Sequence, residues 1–201
     1  MHAFMATILL TNRAILMKLL AAFIPTGIIG FVLYKFIKQY LLGSTSVVLW
    51  SLLIGGVILI LWEMFYQKKK HHTGKIDDLS YKKAFIIGVF QSVSVVPGVS
   101  RAAATIVGAM TVGLNRKAAV EFSFLLAVPT MIAATGLDLV KSHFHFSGNE
   151  WMLLVIGLVG AFVTALFAVR YFLKFVAHHT FIPFGVYRIV IAIVFWVLVV
   201  R

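Results

Sequence analysis

The stretch VVPGVSRAAATI, residues 95–106, places a helix-breaking Pro97-Gly98 pair and an arginine inside the apolar segment 84–114. That segment is longer than the roughly 20 residues that cross a bilayer as one helix. Proline cannot donate a backbone hydrogen bond, and glycine adopts turn conformations readily. The pattern predicts a re-entrant helical hairpin over 84–114, which enters and leaves the membrane on the same side.

The composition outside this stretch is that of a membrane protein. The chain has 201 residues, of which 62% are hydrophobic and 12% charged, whereas soluble domains carry about 25% charged residues. We predict an all-α polytopic membrane protein with about five transmembrane helices in addition to the hairpin. The candidate spans are 14–36, 46–66, 118–139, 151–173 and 181–200. The absence of cysteine excludes disulfides and cysteine-ligated metals.

The basic residues indicate the topology. The formal net charge is +12, but the positive side chains lie mostly at the ends of apolar runs, which argues against nucleic-acid binding. With a re-entrant hairpin, one side of the membrane collects twelve of them: Arg13, Lys18, Lys68, Lys69, Lys70, Lys75, Lys82, Lys83, Arg116, Lys117, Arg170 and Lys174. The other side collects Lys35, Lys38, Lys141 and Arg201. The richer side is predicted to be cytoplasmic.

The residues around the break suit an anion. Ser100 can cap a helix that starts near Arg101, and the free amides and positive dipole end of that helix then face the break at Gly98. Arg101 adds a fork of donors that matches phosphate oxygens. Thr105 shares a helical face with Arg101, and Gln91 offers a donor and an acceptor from the incoming arm. The alternative is a kinked helix whose arginine extends to a lipid headgroup.

Two further charged residues lie inside predicted spans. Glu121 is expected to pair with Arg101 or with Lys117, or to lie at the membrane interface. Arg188 is expected to be buried and paired, with a second phosphate contact as the alternative. The histidine spacings do not predict a metal site, and no nucleotide-binding or HExxH motif is present.

Three segments together resemble one family, the undecaprenyl-diphosphate phosphatases, also called bacitracin-resistance proteins. They are GVFQSVSVVPGVSRAAATI at 88–106, EFSFLLAVPTMIAATGLDLVK at 121–141 and FIPFGVYRIV at 181–190. The resemblance covers nearly the whole chain. It implies hydrolysis of undecaprenyl diphosphate to the monophosphate, which recycles the carrier lipid of cell-wall synthesis and confers bacitracin resistance. It also implies a site that faces the outer side of the inner (cytoplasmic) membrane.

Residue by residue, the resemblance makes Arg101, Ser100 and Thr105 the catalytic candidates, with Arg101 clamping the diphosphate. The candidates for substrate binding are Gln91, Gly98, Glu121 and Arg188. The family's fold is an inverted repeat in which each half holds a hairpin and three spans. The chain is accordingly divided into 1–66, the remainder of a first repeat with two transmembrane helices, 67–83, a polar cytoplasmic loop, and 84–201, a complete second repeat.

The family's first signature has no counterpart among the 201 residues. That signature supplies a nucleophilic serine, a histidine and the carboxylates that hold a divalent cation, Mg²⁺ or Ca²⁺. We therefore expect about the first quarter of an ordinary member to be absent. Three accounts fit: a truncated piece of an ordinary phosphatase, which we favour, a half-protein that needs a complementing N-terminal segment, or an inactive relative that binds lipid diphosphate. A homo-oligomer is also compatible with the sequence.

Transport is the alternative function. An inverted repeat with re-entrant hairpins is also a transporter architecture, so the same site could move the carrier lipid or an organic anion. Fold alone does not decide between the two. Phosphate release indicates the enzyme, and lipid transfer without hydrolysis indicates the transporter.

Overall fold

Helices account for nearly all of the regular structure. The computed structural model describes residues 13–67, 74–141 and 148–200, and these ranges contain seven helices of 11 residues or more. They are α1 Arg13–Val32, α2 Thr45–Gln67, α3 Tyr81–Ser92, α4 Arg101–Thr111, α5 Arg116–Lys141, α6 Gly148–His178 and α7 Ile182–Phe195. Short helical turns extend three of them, at Tyr34–Phe36 and Ile37–Leu41 after α1, Val93–Val95 after α3 and Trp196–Val200 after α7. The described ranges contain no β-strand, so the all-α prediction is confirmed.

Five of these helices are long and apolar enough to cross a membrane. The qualifying stretches are Arg13–Val32, Thr45–Tyr66, Arg116–Gly136, Gly148–Val176 and Ile182–Val199, with mean hydropathies between 1.6 and 2.7. Each coincides with a predicted span to within a few residues at its ends. The chain is therefore a multi-pass membrane protein.

The remaining two helices form the predicted hairpin. α3 and α4 have 12 and 11 residues, which makes them about 18 Å and about 16 Å long, well short of the roughly 30 Å of a bilayer core. Their outer ends meet, because the amide of Asn115 donates to the carbonyl of Gly74 at 2.9 Å. The hairpin thus enters and leaves on the same side.

The first arm of the hairpin starts earlier than the sequence indicated. Ser80 caps α3 by accepting a hydrogen bond from the amide of Lys83, so Tyr81–Lys83 are helical. The predicted boundary between the loop 67–83 and the hairpin 84–114 therefore lies three residues after the observed start of the helix. The division into a partial and a complete repeat stays a prediction.

Small residues bring the helices together in two tight pairs. Gly88 of α3 lies directly against the carbonyl of Ala22 on α1, and Thr26 of α1 donates to the Gly88 carbonyl at 3.1 Å. Between α2 and α7, a side chain added at Gly56 would lie 2.8 Å from the carbonyl oxygen of Gly185. Such close approach is how membrane helices gain packing energy without a hydrophobic driving force.

One face of the molecule gathers the basic helix ends, and we call it the basic face. Lys18 near the start of α1 donates to the carbonyls of Ile76, at 3.3 Å, and Asp77, at 2.8 Å, beside the base of the hairpin. Arg116 at the start of α5 pairs with Glu63 near the end of α2. The helix ends that the sequence assigned to one side of the membrane therefore lie together.

Candidate functional site

The tip of the hairpin is an irregular turn that only glycine permits. Gly98 has φ of +89°, and a Cβ there would lie 2.6 Å from the carbonyl oxygen of Val48 and 2.9 Å from Cβ of Ser51. Both residues belong to α2, so the tip rests directly on the backbone of that helix. Gly98 is therefore fixed by its backbone conformation and by the contact.

Helix α4 starts where the sequence predicts. Ser100 accepts a hydrogen bond from the amide of Ala103 at 3.2 Å, and its carbonyl accepts the first helical bond from Ala104. This N-cap turns the first amides of α4, at Arg101 and Ala102, toward the tip of the hairpin. A partial positive charge accordingly faces the break.

Arg101 reaches from the first turn of α4 to the neighbouring spanning helix. Its Nη1 donates to the hydroxyl of Thr130 on α5 at 2.6 Å. The guanidinium is half-buried, and its only hydrogen-bonded side chain among the described residues is uncharged. Within the described ranges, no carboxylate neutralises the charge that the arginine carries next to the break.

Thr105 and Gln91 lie inside the hairpin. Both are 1% exposed, and the Thr105 hydroxyl is placed to donate to Oε1 of Gln91 at 3.1 Å or to the carbonyl of Arg101 at 2.9 Å. Nε2 of Gln91 is buried without a protein partner within the described part of the chain. The structure therefore places the Gln91–Thr105 pair between the two arms, and a direct phosphate contact by either residue stays a prediction.

Arg188 ties the tip of the hairpin to α2. Its Nη2 donates to the carbonyl of Gly98 at 2.9 Å and to that of Ser51 at 3.1 Å, while its Nε is buried without a partner among the described residues. Gly55 leaves room for the guanidinium, since a Cβ there would lie 2.6 Å from Nη2. Arg188 is therefore partly buried and hydrogen-bonded to backbone carbonyls, and the alternative of a phosphate contact stays a prediction.

A cavity of about 270 Å³ lies between α2, α4, α6 and α7. Its hydrogen-bonding lining residues are Ser100, Tyr187 and Arg188, and its walls include the aromatic side chains of Phe172, Phe181 and Phe184. Apolar walls beside a few hydrogen-bonding residues suit an amphiphilic molecule better than a purely polar one.

Comparison with known proteins identifies the family. The family model described as "Bacitracin resistance protein BacA" matches residues 4–194. The chain belongs to the BacA family. It is 52% identical over 187 residues to the undecaprenyl-diphosphatase of Aquifex aeolicus, covering 93% of this chain and 73% of that protein.

Two further relatives carry the same name, undecaprenyl-diphosphatase. The one from a Sulfurihydrogenibium species is 50% identical over 179 residues, which is 89% of this chain and 70% of the relative. The one from Methanococcus aeolicus is 40% identical over 190 residues, which is 94% of this chain and 74% of the relative. The family membership inferred from the three motifs is confirmed.

The residues described in this BacA-family chain do not form a cation site. Within 13–67, 74–141 and 148–200, no three histidine or acidic side chains come together. Glu121, partly buried on α5, makes no ion pair with Arg101 or with Lys117 in the described part of the chain. Glu63 is fully buried, but both its oxygens accept from Arg116. The described residues thus offer no ligand set for the Mg²⁺ or Ca²⁺ that the resemblance implies.

Sequence reasoning missed two contacts that join the helices of this chain. One is the Arg101–Thr130 hydrogen bond. The other is the Glu63–Arg116 ion pair, in which Nη2 and Oε1 lie 2.6 Å apart and the guanidinium lies 4.8 Å from the ring centre of Phe181. The sequence did contain a signal for the ion pair. It placed Glu63 near the end of one span and Arg116 at the start of another, on the same side of the membrane.

Proposed function

We propose that this chain is an undecaprenyl-diphosphate phosphatase that binds the lipid diphosphate at the tip of its hairpin. Water would cleave the terminal phosphoanhydride bond, which releases inorganic phosphate and leaves undecaprenyl phosphate. The observation that carries the proposal is the capped start of α4, with the half-buried Arg101 beside it, in a BacA-family chain whose relatives are named undecaprenyl-diphosphatase.

Arg101 and the first turn of α4 bind the diphosphate in this proposal. The guanidinium offers two parallel donors to phosphate oxygens, and the amides of Arg101 and Ala102 offer two more from the positive end of the helix. These groups are fixed before the substrate arrives. They can therefore stabilise the negative charge that shifts between phosphate oxygens in the transition state.

The outer side of the inner membrane is the proposed location of the site. The basic face carries the helix ends rich in lysine and arginine, which by the positive-inside rule lie in the cytoplasm. The hairpin starts from this face at Gly74 and Asn115, and its tip lies one helix length of about 16 Å further into the membrane. This direction supports access to the tip from the side opposite the cytoplasm.

Hydrolysis in this proposal also needs groups that the described residues do not supply. The chain covers about 70–74% of its three relatives, and the residues described here do not fit the divalent cation. We also propose that the cation ligands come from a segment equivalent to the quarter of the relatives that this chain does not match. That segment can be joined to this polypeptide or supplied as a complementing chain, and a homo-oligomer is the other source of additional groups.

Phosphate release is the experiment that tests the function. The purified 201-residue chain in detergent is incubated with undecaprenyl diphosphate and Mg²⁺ or Ca²⁺, alone and with the unmatched segment of the Aquifex aeolicus relative. Arg101→Ala is the test variant. Arg170→Ala is the control, because Arg170 is exposed on α6 and does not line the cavity beside Ser100.

The expected result is phosphate release with the added segment, abolished by Arg101→Ala and kept by Arg170→Ala. Release by the chain alone would show that no further segment is needed. Equal release by the Arg101→Ala protein would overturn the proposed site. Arg101-dependent transfer of the lipid across a vesicle membrane without hydrolysis would instead identify a transporter.

A further inference from the structure

We propose that Thr130 is a positioning residue that fixes the guanidinium of Arg101 beside the hairpin tip. The inference deepens the proposed function and rests on it for the role of Arg101. Thr130 lies on α5, 29 positions after Arg101, and is not among the residues that line the cavity. It acts on the substrate only through the arginine.

The Thr130 hydroxyl is oriented as an acceptor for this contact. Its single proton is directed to the carbonyls of its own helix, Ala127 at 2.8 Å and Leu126 at 3.2 Å. A hydroxyl has one donor and two acceptor lone pairs, so the lone pairs are left for Arg101. The Nη1 to Oγ1 distance of 2.6 Å is at the short end for a hydrogen bond from a charged donor.

A neutral partner preserves what the site needs from Arg101. A carboxylate in the place of Thr130 would hold the guanidinium equally well but would neutralise its charge and compete with phosphate. The hydroxyl accepts from one N–H of Nη1, and it does not engage the other four N–H donors of the guanidinium. Arg101 is thereby restricted in orientation before binding, which lowers the entropy lost when the diphosphate arrives.

The test compares Thr130→Val, which removes the hydroxyl at similar size, with Thr130→Ser, which keeps it. Thr164→Val is the matched control. Thr164 makes the same local bonds, to the carbonyls of Gly160 at 2.9 Å and Ala161 at 3.0 Å, but lies exposed on α6 and has no arginine partner among the described residues. If valine disturbs the packing of α5, Thr130→Ala is the second variant.

Two readouts are needed. The first is the side-chain NMR spectrum of the chain labelled with ¹⁵N-arginine in detergent, with the Arg101 signal assigned from Arg101→Lys. The second is kcat/KM for undecaprenyl diphosphate under the conditions that give phosphate release. In the NMR spectrum, we expect Thr130→Val to abolish the separate Nη signals that show restricted rotation of the Arg101 guanidinium. We expect the same change to lower kcat/KM about tenfold, the size typical of losing a hydrogen bond to a charged group. Thr130→Ser should keep kcat/KM within about twofold of the wild-type value. Thr164→Val should change neither the NMR spectrum nor kcat/KM.

The outcomes separate the two proposals. An Arg101 spectrum that is the same in Thr130→Val, Thr130→Ala and the wild-type chain overturns the positioning role, whatever the activity. If the wild-type chain releases no phosphate under any condition, the proposed function has failed, and the spectrum alone still decides whether Thr130 orients Arg101.

Discussion

Arg188 on the last spanning helix donates a hydrogen bond of 2.9 Å to the carbonyl of Gly98, 90 positions earlier in the chain. The same nitrogen lies 3.1 Å from the carbonyl of Ser51. One guanidinium therefore joins α7, α2 and the tip of the hairpin. The irregular backbone at the tip cannot bond to lipid, so its carbonyls must find a donor within the protein.

Arg188→Ala should destabilise the hairpin tip. The Gly98 carbonyl would lose its donor, and a buried group left unsatisfied costs about 1–3 kcal/mol. We expect a lower thermal midpoint in detergent than for the wild type, measured by circular dichroism. Arg170→Ala, which removes an exposed arginine, should unfold at the wild-type temperature. Equal midpoints for the Arg188→Ala protein and the wild type would show that the tip is held by other contacts.

Gly98→Ala should destabilise the hairpin tip, whereas a glycine-to-alanine change at an open helix surface should not. The new Cβ would meet the α2 backbone at 2.6 Å, and the φ of +89° strains any residue with a side chain. Backbone strain of this kind costs about 1–3 kcal/mol before the clash is added. The control is Gly160→Ala on α6, where nothing lies within 4 Å and alanine favours the helix by about 1 kcal/mol. Thermal unfolding of both variants distinguishes these effects, and a neutral Gly98→Ala would contradict the observed contact.

Removing one partner of the Glu63–Arg116 pair should cost more than removing both. Glu63→Gln leaves Arg116 without its counter-charge next to a fully buried site, which typically costs about 3–5 kcal/mol. The double variant Glu63→Gln with Arg116→Met removes both charges and should recover part of the loss. The free energies of unfolding of the two single variants and the double variant form a cycle that measures the coupling. A coupling near zero would mean that the pair does not stabilise the fold.

Arg101→Lys should lose most of the activity that the wild type shows. A lysine ammonium supplies a point charge but cannot give the parallel donors of a guanidinium or reach Thr130 with the same geometry. We expect kcat to fall about a hundredfold, the size seen when one preorganised donor is removed from an oxyanion site. The check is initial-rate phosphate release over a range of lipid concentrations. Turnover equal to the wild type would exclude Arg101 as a clamp for the diphosphate.

The architecture was predictable because it depends on length and local pattern. Apolar runs of about 20 residues fixed the five spans, and the interruption at Pro97-Gly98 together with the charge distribution indicated the hairpin. The cap at Ser100 followed from the preference of serine for the position before a helix. Each of these inferences uses residues that are close together in the chain.

The internal contacts of the site were not predictable in the same way. Thr130 meets Arg101 only because α5 packs beside α4 in one particular rotation, and no local pattern specifies that rotation. The burial of Gln91 and Thr105 likewise depends on which faces of the two hairpin arms meet. The inverted repeat needs the equivalent hairpin of the other half for comparison, so it stays a prediction.

The bond between Gly98 and Arg188 also has a consequence for biosynthesis. The hairpin is too short to be inserted as an ordinary spanning helix, and the donor for its tip is translated about 90 residues later. Until α7 enters the membrane, the Gly98 carbonyl lacks this partner, and the hairpin has only its base and the flanking helices to hold it. The proposed anion site is therefore completed late, after the ribosome has already synthesised every residue of the hairpin itself.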